Sequence, residues 1–333
     1  TEIYTLSLHD ALPISATMKD GKTHTVLVGD ETPAGGGFYV RTGADKRLFT
    51  AAGFTKAGID KTSADLRDKR LLTFGRDFVT KVEIAGKAGA IEFAHSGQDQ
   101  WRIVKPAPMR ADGWQVDELL RKLVEAKLDA TVSEEAAKKN EAVFAGAALV
   151  GTVKVTDLQG MQTLEARKGK DGLRVKSSAV EGVHALAADA LAGIEKTAME
   201  FRSKKLFDFG FTEPAKVEVT AGGKTRVFAK TGETWTEGGK TMDSIGVQSL
   251  IDRLRDLTAA GFPAKGGGQA EMTITVQAGK GSERVAVTKA GEKYYAVREG
   301  EPAVYELAGP DVEALRQAAA DVKASQPKPP EKK

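Results

Sequence analysis

A chain of 333 residues with 41% apolar and 29% charged residues can bury a substantial core and calls for two or more domains or a repeat array. Its 49 basic and 46 acidic residues leave a net charge of +3, interspersed as in "KVEIAGK" and "LIDRLRDL", which gives solvated faces and no nucleic-acid stripe. The lack of any cysteine excludes disulfides, thiolate metal sites and a Cys nucleophile.

The opening "TEIYTLSLHDALPIS" has no basic region ahead of an apolar run and no small-residue cleavage site, so it is not a secretory signal. It closely resembles the translation of a sequencing-library adapter, and residues 1–15 are expected to be foreign to the fold. On that reading the authentic chain is truncated at its front and begins near Ala16.

Residues 16–75 then read as a first type of module: the alternating strands "HTVLVGD", "GGFYVRTG" and "RLFTAA", followed by the segment from Gly58 to Gly75. Residues 76–145 read as a second type, with "VTKVEIA", "AIEFAHS" and "QWRIVKP" leading into an amphipathic helix that carries Val116, Leu119, Leu120, Leu123 and Val124 on one face. The first type recurs over 146–210. The second recurs over 211–265, where Val247, Leu250, Ile251, Leu254 and Leu257 keep the helical spacing. A terminal first-type module spans 266–323, with "EMTITVQA", "ERVAVTKA", "KYYAVRE" and "AVYELA" before a helix opened by Gly309, Pro310 and Asp311. The Pro- and Lys-rich tail, 324–333, is expected to be disordered. The longest near-apolar run, Ala142 to Val153, is too short to span a bilayer.

Internal duplication carries this division. "GIDKTSADLRDKRLLTFG" from Gly58 and "GIEKTAMEFRSKKLFDFG" from Gly193 are identical at nine of eighteen positions, a period of about 135 residues that exceeds simple solenoid repeats. The expected fold class is α+β: internally duplicated modules of small antiparallel β-sheets, each backed by an α-helix, in an elongated array. A further second-type module, with a membrane anchor before it, is expected upstream.

No constellation for chemistry emerges. Three Gly-Lys-Thr triplets, at Gly21, Gly223 and Gly239, lack the earlier glycine a phosphate loop requires and read as hairpin turns. His24, His95 and His184 lie in different modules without metal-ligand spacing, and His24 is expected to pack on the strand face it shares with Val26 and Val28. No catalytic residue, cofactor site or metal site is therefore assigned, and an enzyme is not expected. Trp101 and Trp235 hold equivalent positions at a strand end and are expected in the core. Trp114, matched by Ile245, is expected to plug the helix entry. Arg67 recurs as Arg202 and Lys69 as Lys204, either in local ion pairs or in a ligand site used twice. Arg67, Arg202, Trp101 and Trp114 are the candidate interaction residues.

Strand-rich segments ending in "WRIVKP", the following helix, "KTHTVLVGDETPAGGGFYVR" and "DLRDKRLLTF" resemble the domain of unknown function 4340 family from Gly21 to about Lys323. "AVFAGAALVGTVKV" departs from that family by lacking a Gly-Leu and a Pro, and "TWTEGGKTMD" by lacking the Pro after Trp235. The resemblance implies a non-catalytic accessory or scaffold component on the extracytoplasmic side of a bacterial inner membrane, tethered by a missing N-terminal helix. Its implied partners are protein subunits of an ABC-type transport or gliding-motility-like complex. The alternative is a soluble cell-envelope binding module for polysaccharide or lipid, favoured by an exposed Trp101 or Trp114.

Overall fold

A computed structural model describes residues 12–43, 45, 47–59, 61–66, 68–95, 100–129 and 132–325. Residues 1–11, Asp60, Arg67 and the tail from 326 lie outside the described residues.

The chain opens with β1 (Leu12–Thr17), β2 (Thr23–Glu31), β3 (Gly37–Thr42) and β4 (Phe49–Ala52), then the short helices α1 (Gly53–Ile59) and α2 (Ser63–Leu66). Next come β5 (Lys81–Gly86), β6 (Gly89–His95), β7 (Trp101–Lys105) and β8 (Met109–Arg110), followed by α3 (Gly113–Glu125) and α4 (Glu134–Gly146). The repeat of the first module type supplies β9 (Leu149–Asp157), β10 (Gly160–Gly169), β11 (Gly172–Ser177) and β12 (Val183–Leu186). Then follow β13 (Pro214–Ala221), β14 (Lys224–Thr231), β15 (Thr234–Glu237), β16 (Lys240–Thr241) and α5 (Ser244–Asp256). The last set is β17 (Gln269–Ala278), β18 (Gly281–Ala290), β19 (Lys293–Arg298), β20 (Val304–Leu307) and α6 (Gly309–Asp321). Antiparallel sheet thus dominates an α+β fold of repeated sheet modules, and each module has four strands where three were expected in all but the last. Among the described residues no helix is long and apolar enough to cross a membrane.

Two compact units divide the chain: residues 1–92 with 117–196, and residues 93–116 with 197–333. In the first unit β1 to β4 form an antiparallel meander, and a second sheet runs β12–β11–β10–β9–β5 into the first half of β6. The segment set aside as foreign contributes its end to this meander: Ile14 pairs with Val26 and Ser15 with Thr25, whose hydroxyls lie 2.8 Å apart. Helix α4, absent from the sequence expectation, begins at an N-cap where the Ser133 hydroxyl accepts from Ala136 N, and it contacts β10, β11 and β12. At its far end Arg167 donates to Ala147 O (3.2 Å) and lies over the Phe144 ring, satisfying a carbonyl that the finished helix leaves open. The near-apolar run from Ala142 is therefore the end of a helix and the start of β9.

In the second unit all of β13 to β20 form one antiparallel sheet in the order β16–β15–β14–β13–β17–β18–β19–β20. Its core joins Val217, Phe228, Ile274 and Val285 from the sheet to Val247, Leu250, Ile251 and Leu254 from α5 and Val312 and Leu315 from α6. The 3.6-residue spacing aligns these apolar side chains on one helix stripe, and burying it removes water from apolar surface at about 25 cal/mol per Å². Helix α5 starts where the Asp243 carboxylate accepts from Gly246 N at 3.0 Å.

The Gly-Lys-Thr triplets fall where hairpin turns were expected. Gly21 joins β1 to β2, Gly223 joins β13 to β14 and Gly239 joins β15 to β16, all at positive φ. Two expectations need correction. His24 is exposed, because the β2 face it shares with Val26 is only half covered. The first two residues of the expected disordered tail are paired: Ala324 bridges to Met242, and Ser325 N donates to Thr241 O, both residues preceding the prolines and keeping their N–H groups.

Candidate functional site

The duplicated segments build the site's frame with the same backbone bonds. In the first unit Leu71 N donates to Ala126 O and Leu128 N to Lys69 O; in the second, Leu206 N donates to Leu257 O and Ala259 N to Lys204 O. Two further bonds are also repeated, but with different side chains. Thr73 N donates to Gln162 Oε1 at 2.8 Å, and the Ser177 hydroxyl donates to Leu71 O. At the matching places Asp208 N donates to Glu283 Oε2 at 2.7 Å, and Arg298 Nη1 donates to Leu206 O at 2.5 Å. The neutral set Thr73, Gln162 and Ser177 of the first unit is thus the charged set Asp208, Glu283 and Arg298 in the second.

That charged set grows into a network. Arg298 lies 3.3 Å from Asp208, 3.2 Å from Glu283 and 3.0 Å from Glu301. Arg110, placed by the two-residue strand β8, reaches Asp208 and Glu301 at 2.7 Å each and donates to Tyr305 Oη at 3.1 Å and to Lys205 O. Tyr305 in turn donates to Glu301 Oε2 at 2.6 Å. Side-chain exposure is 11% for Arg110, 12% for Arg298, 18% for Glu301, 20% for Glu283 and 29% for Asp208, so water screens these pairs weakly. Burial pushes the Glu283 carboxyl above its ordinary range, and the Arg298 charge and the Asp208 amide only partly oppose this. Burial also raises the Tyr305 phenol, reinforced by its bond to Glu301. On Arg110 burial pulls downward, but Asp208, Tyr305 and Glu301 together hold it above the usual guanidinium value.

Beside this network the second unit has a cavity of about 810 Å³, with Arg110, Asp208, Arg298 and Glu301 among its lining and Trp101 and Trp114 at the same place. Trp101 is buried, as a core position requires, and its ring lies tilted against that of the exposed His95 at 3.9 Å between centroids. Trp114 is 69% exposed, which overturns the expected plug. Its counterpart Ile245 is 80% exposed, and the core begins only two residues later, at Val116 and Val247. Arg202 is buried; its guanidinium lies 3.9 Å from the Phe262 centroid and 5.3 Å from that of Tyr305, a cation–π stack in place of the expected local ion pair. Arg202 therefore packs against Tyr305, one member of the network. Arg67 lies outside the described residues.

Sequence reasoning missed Arg110, Asp208, Glu283, Arg298, Glu301 and Tyr305. One signal was available: aligning "LLTFG" with "LFDFG" exposes the exchange of Thr73 for Asp208, a charge entering an otherwise apolar segment.

No curated protein and no solved structure matched the chain. A family profile matches residues 5–142 and again 101–275, two overlapping segments as a repeated module requires, so the chain belongs to the family described as Domain of unknown function (DUF4340).

Proposed function

We propose that this chain is a non-catalytic binding module whose second unit takes a cell-envelope polysaccharide. The observation that carries the proposal is Trp114, a large aromatic face 69% exposed beside a polar cavity of about 810 Å³. An indole offers a flat apolar surface to the C–H face of a sugar ring, while carboxylates and guanidiniums meet its hydroxyls. The charged lining favours a sugar over a lipid tail, for which burying unpaired charges would be costly. Asp208, Glu283 and Glu301 are held by guanidiniums, which occupies lone pairs a general base needs and supports a binding role for this network over a catalytic one.

All three tryptophans lie in the second unit, and Trp101 and Trp235 are buried, so fluorescence changes on adding a neutral glucose oligosaccharide report chiefly on Trp114. A saturable change is expected, with a binding heat in calorimetry that Trp114→Ala abolishes without altering thermal unfolding; a flat titration, or a binding heat that Trp114→Ala leaves intact, overturns the proposal.

A wider setting belongs to the same proposal: the internal repeat supports small sheets backed by helices in an elongated array, and the family resemblance a tether outside the cytoplasm beside an ABC-type transport or motility complex. The burial of one face of α5 and α6 supports the helix backing in the second unit. Crosslinking in cells to transporter subunits tests the setting separately.

A further inference from the structure

We infer that the sugar bound beside Trp114 is an acidic one, its carboxylate held by Lys205 with Lys204 and Arg102; this rests on the polysaccharide reading above. The repeat provides the argument. In the first unit Arg70 is locked onto Asp68, with Arg70 Nη2 2.7 Å and Nε 3.0 Å from the carboxylate oxygens. In the second unit the same two positions hold Lys205 and Ser203. Serine removes the carboxylate, and the Lys205 ammonium is left without an ion-pair partner among the described residues. Lys205 lines the cavity, as do the exposed Lys204 and Arg102, whereas the other two lining guanidiniums, Arg110 and Arg298, are neutralised by Asp208, Glu283 and Glu301. The free positive charge of the cavity is thus carried by Lys205, Lys204 and Arg102, which outnumber the two other acids of the lining, Asp112 and Glu299. An ammonium that keeps most of its hydration is well suited to a carboxylate that stays near the surface, and its attraction is screened by salt.

The test compares a tetramer of galacturonic acid with a neutral glucose tetramer, read by fluorescence and calorimetry. The acidic tetramer should bind about tenfold tighter at low salt. That preference should shrink to about threefold or less when sodium chloride rises from about 0.05 M to about 0.5 M. The double variant Lys204→Gln/Lys205→Gln, at two exposed positions, should lose the preference for the acidic tetramer. Equal binding of both tetramers to the unaltered protein overturns the acidic-sugar inference and leaves the polysaccharide reading standing. Binding of neither overturns both. A preference that survives the double variant overturns the assignment to these lysines, and Ser203→Asp, which restores the partner found beside Arg70, gives an independent check by lowering the preference.

Discussion

Replacing Arg298 with serine removes one guanidinium from a set of three carboxylates and leaves Arg110 to face Asp208, Glu283 and Glu301 alone. Breaking a fully buried pair costs about 3–5 kcal/mol; with acids here 18–29% exposed, water recovers part of that and the expected loss is about 2–3 kcal/mol. The triple variant Asp208→Thr/Glu283→Gln/Arg298→Ser installs the neutral set that makes the same two backbone bonds in the first unit, and leaves Arg110 paired one to one with Glu301. Such a replacement of a buried ionic group by a satisfied neutral one is expected to stay within about 1 kcal/mol of the unaltered protein. The three-site change should therefore be milder than the single one. Urea unfolding followed by tryptophan fluorescence reads the second unit directly, because it holds every tryptophan. A triple variant destabilised as much as Arg298→Ser, or more, would refute the reasoning and assign the charges to holding the fold. Glu283→Gln adds a pH signature. Burial raises the folded carboxyl above its unfolded value of 4.5, so the native state binds the proton more tightly. The resulting stabilisation is full below the unfolded value and is lost as pH rises through the folded one. Glutamine cannot ionise, so the unaltered protein should lose stability relative to Glu283→Gln as pH rises across that window.

Two further predictions concern the first unit. Asp157 accepts from Gly75 N at 3.0 Å and Gln159 N at 2.8 Å, and these N–H groups hold its carboxyl below the ordinary value; Asp157→Ala should cost about 2 kcal/mol by calorimetry. The advantage of Asp157 over Asp157→Asn should be full above pH 3.8 and vanish as pH falls through the lowered value; a difference independent of pH would show that ionisation plays no part. Gly172 sits at φ +135° where an added Cβ would stand 2.3 Å from Leu186 O, so Gly172→Ala should cost about 2–4 kcal/mol and loosen the β11–β12 pair in amide hydrogen exchange. Unchanged protection there would count against the close approach.

What the sequence revealed follows from the range of each interaction. The faces of α3 and α5 were legible because Val116, Leu119, Leu120 and Leu123, like Val247, Leu250, Ile251 and Leu254, answer to a local period. The hairpin glycines were legible because a positive φ is a property of one residue. Helix α4 was not, since "EEAAKKNEAVFAG" presents a weak apolar stripe beside a stronger apolar run at its end. Trp114 was misread because apolar character alone cannot distinguish the last residue outside a core from the first inside it. The charged network was out of reach from strand patterns: Arg110 meets Asp208 across 98 residues and Tyr305 across 195, a juxtaposition fixed only by sheet topology.

The two copies themselves show where selection for folding stops being a sufficient account. Both units make the Leu71- and Leu206-type backbone bonds, so the frame does not require charge at Asp208, Glu283 or Arg298. Taking those groups out of water is costly, and neutral side chains accomplish the same backbone pairing elsewhere in the chain. The cation at Arg70, moreover, is closed off by Asp68, whereas Lys205 beside the cavity has Ser203 in that place. Four of these positions, Ser203, Lys205, Asp208 and Arg298, line one cavity, where Trp114 is also exposed. A difference that folding does not demand, and that electrostatics penalises, is the ground for proposing a ligand for the second unit.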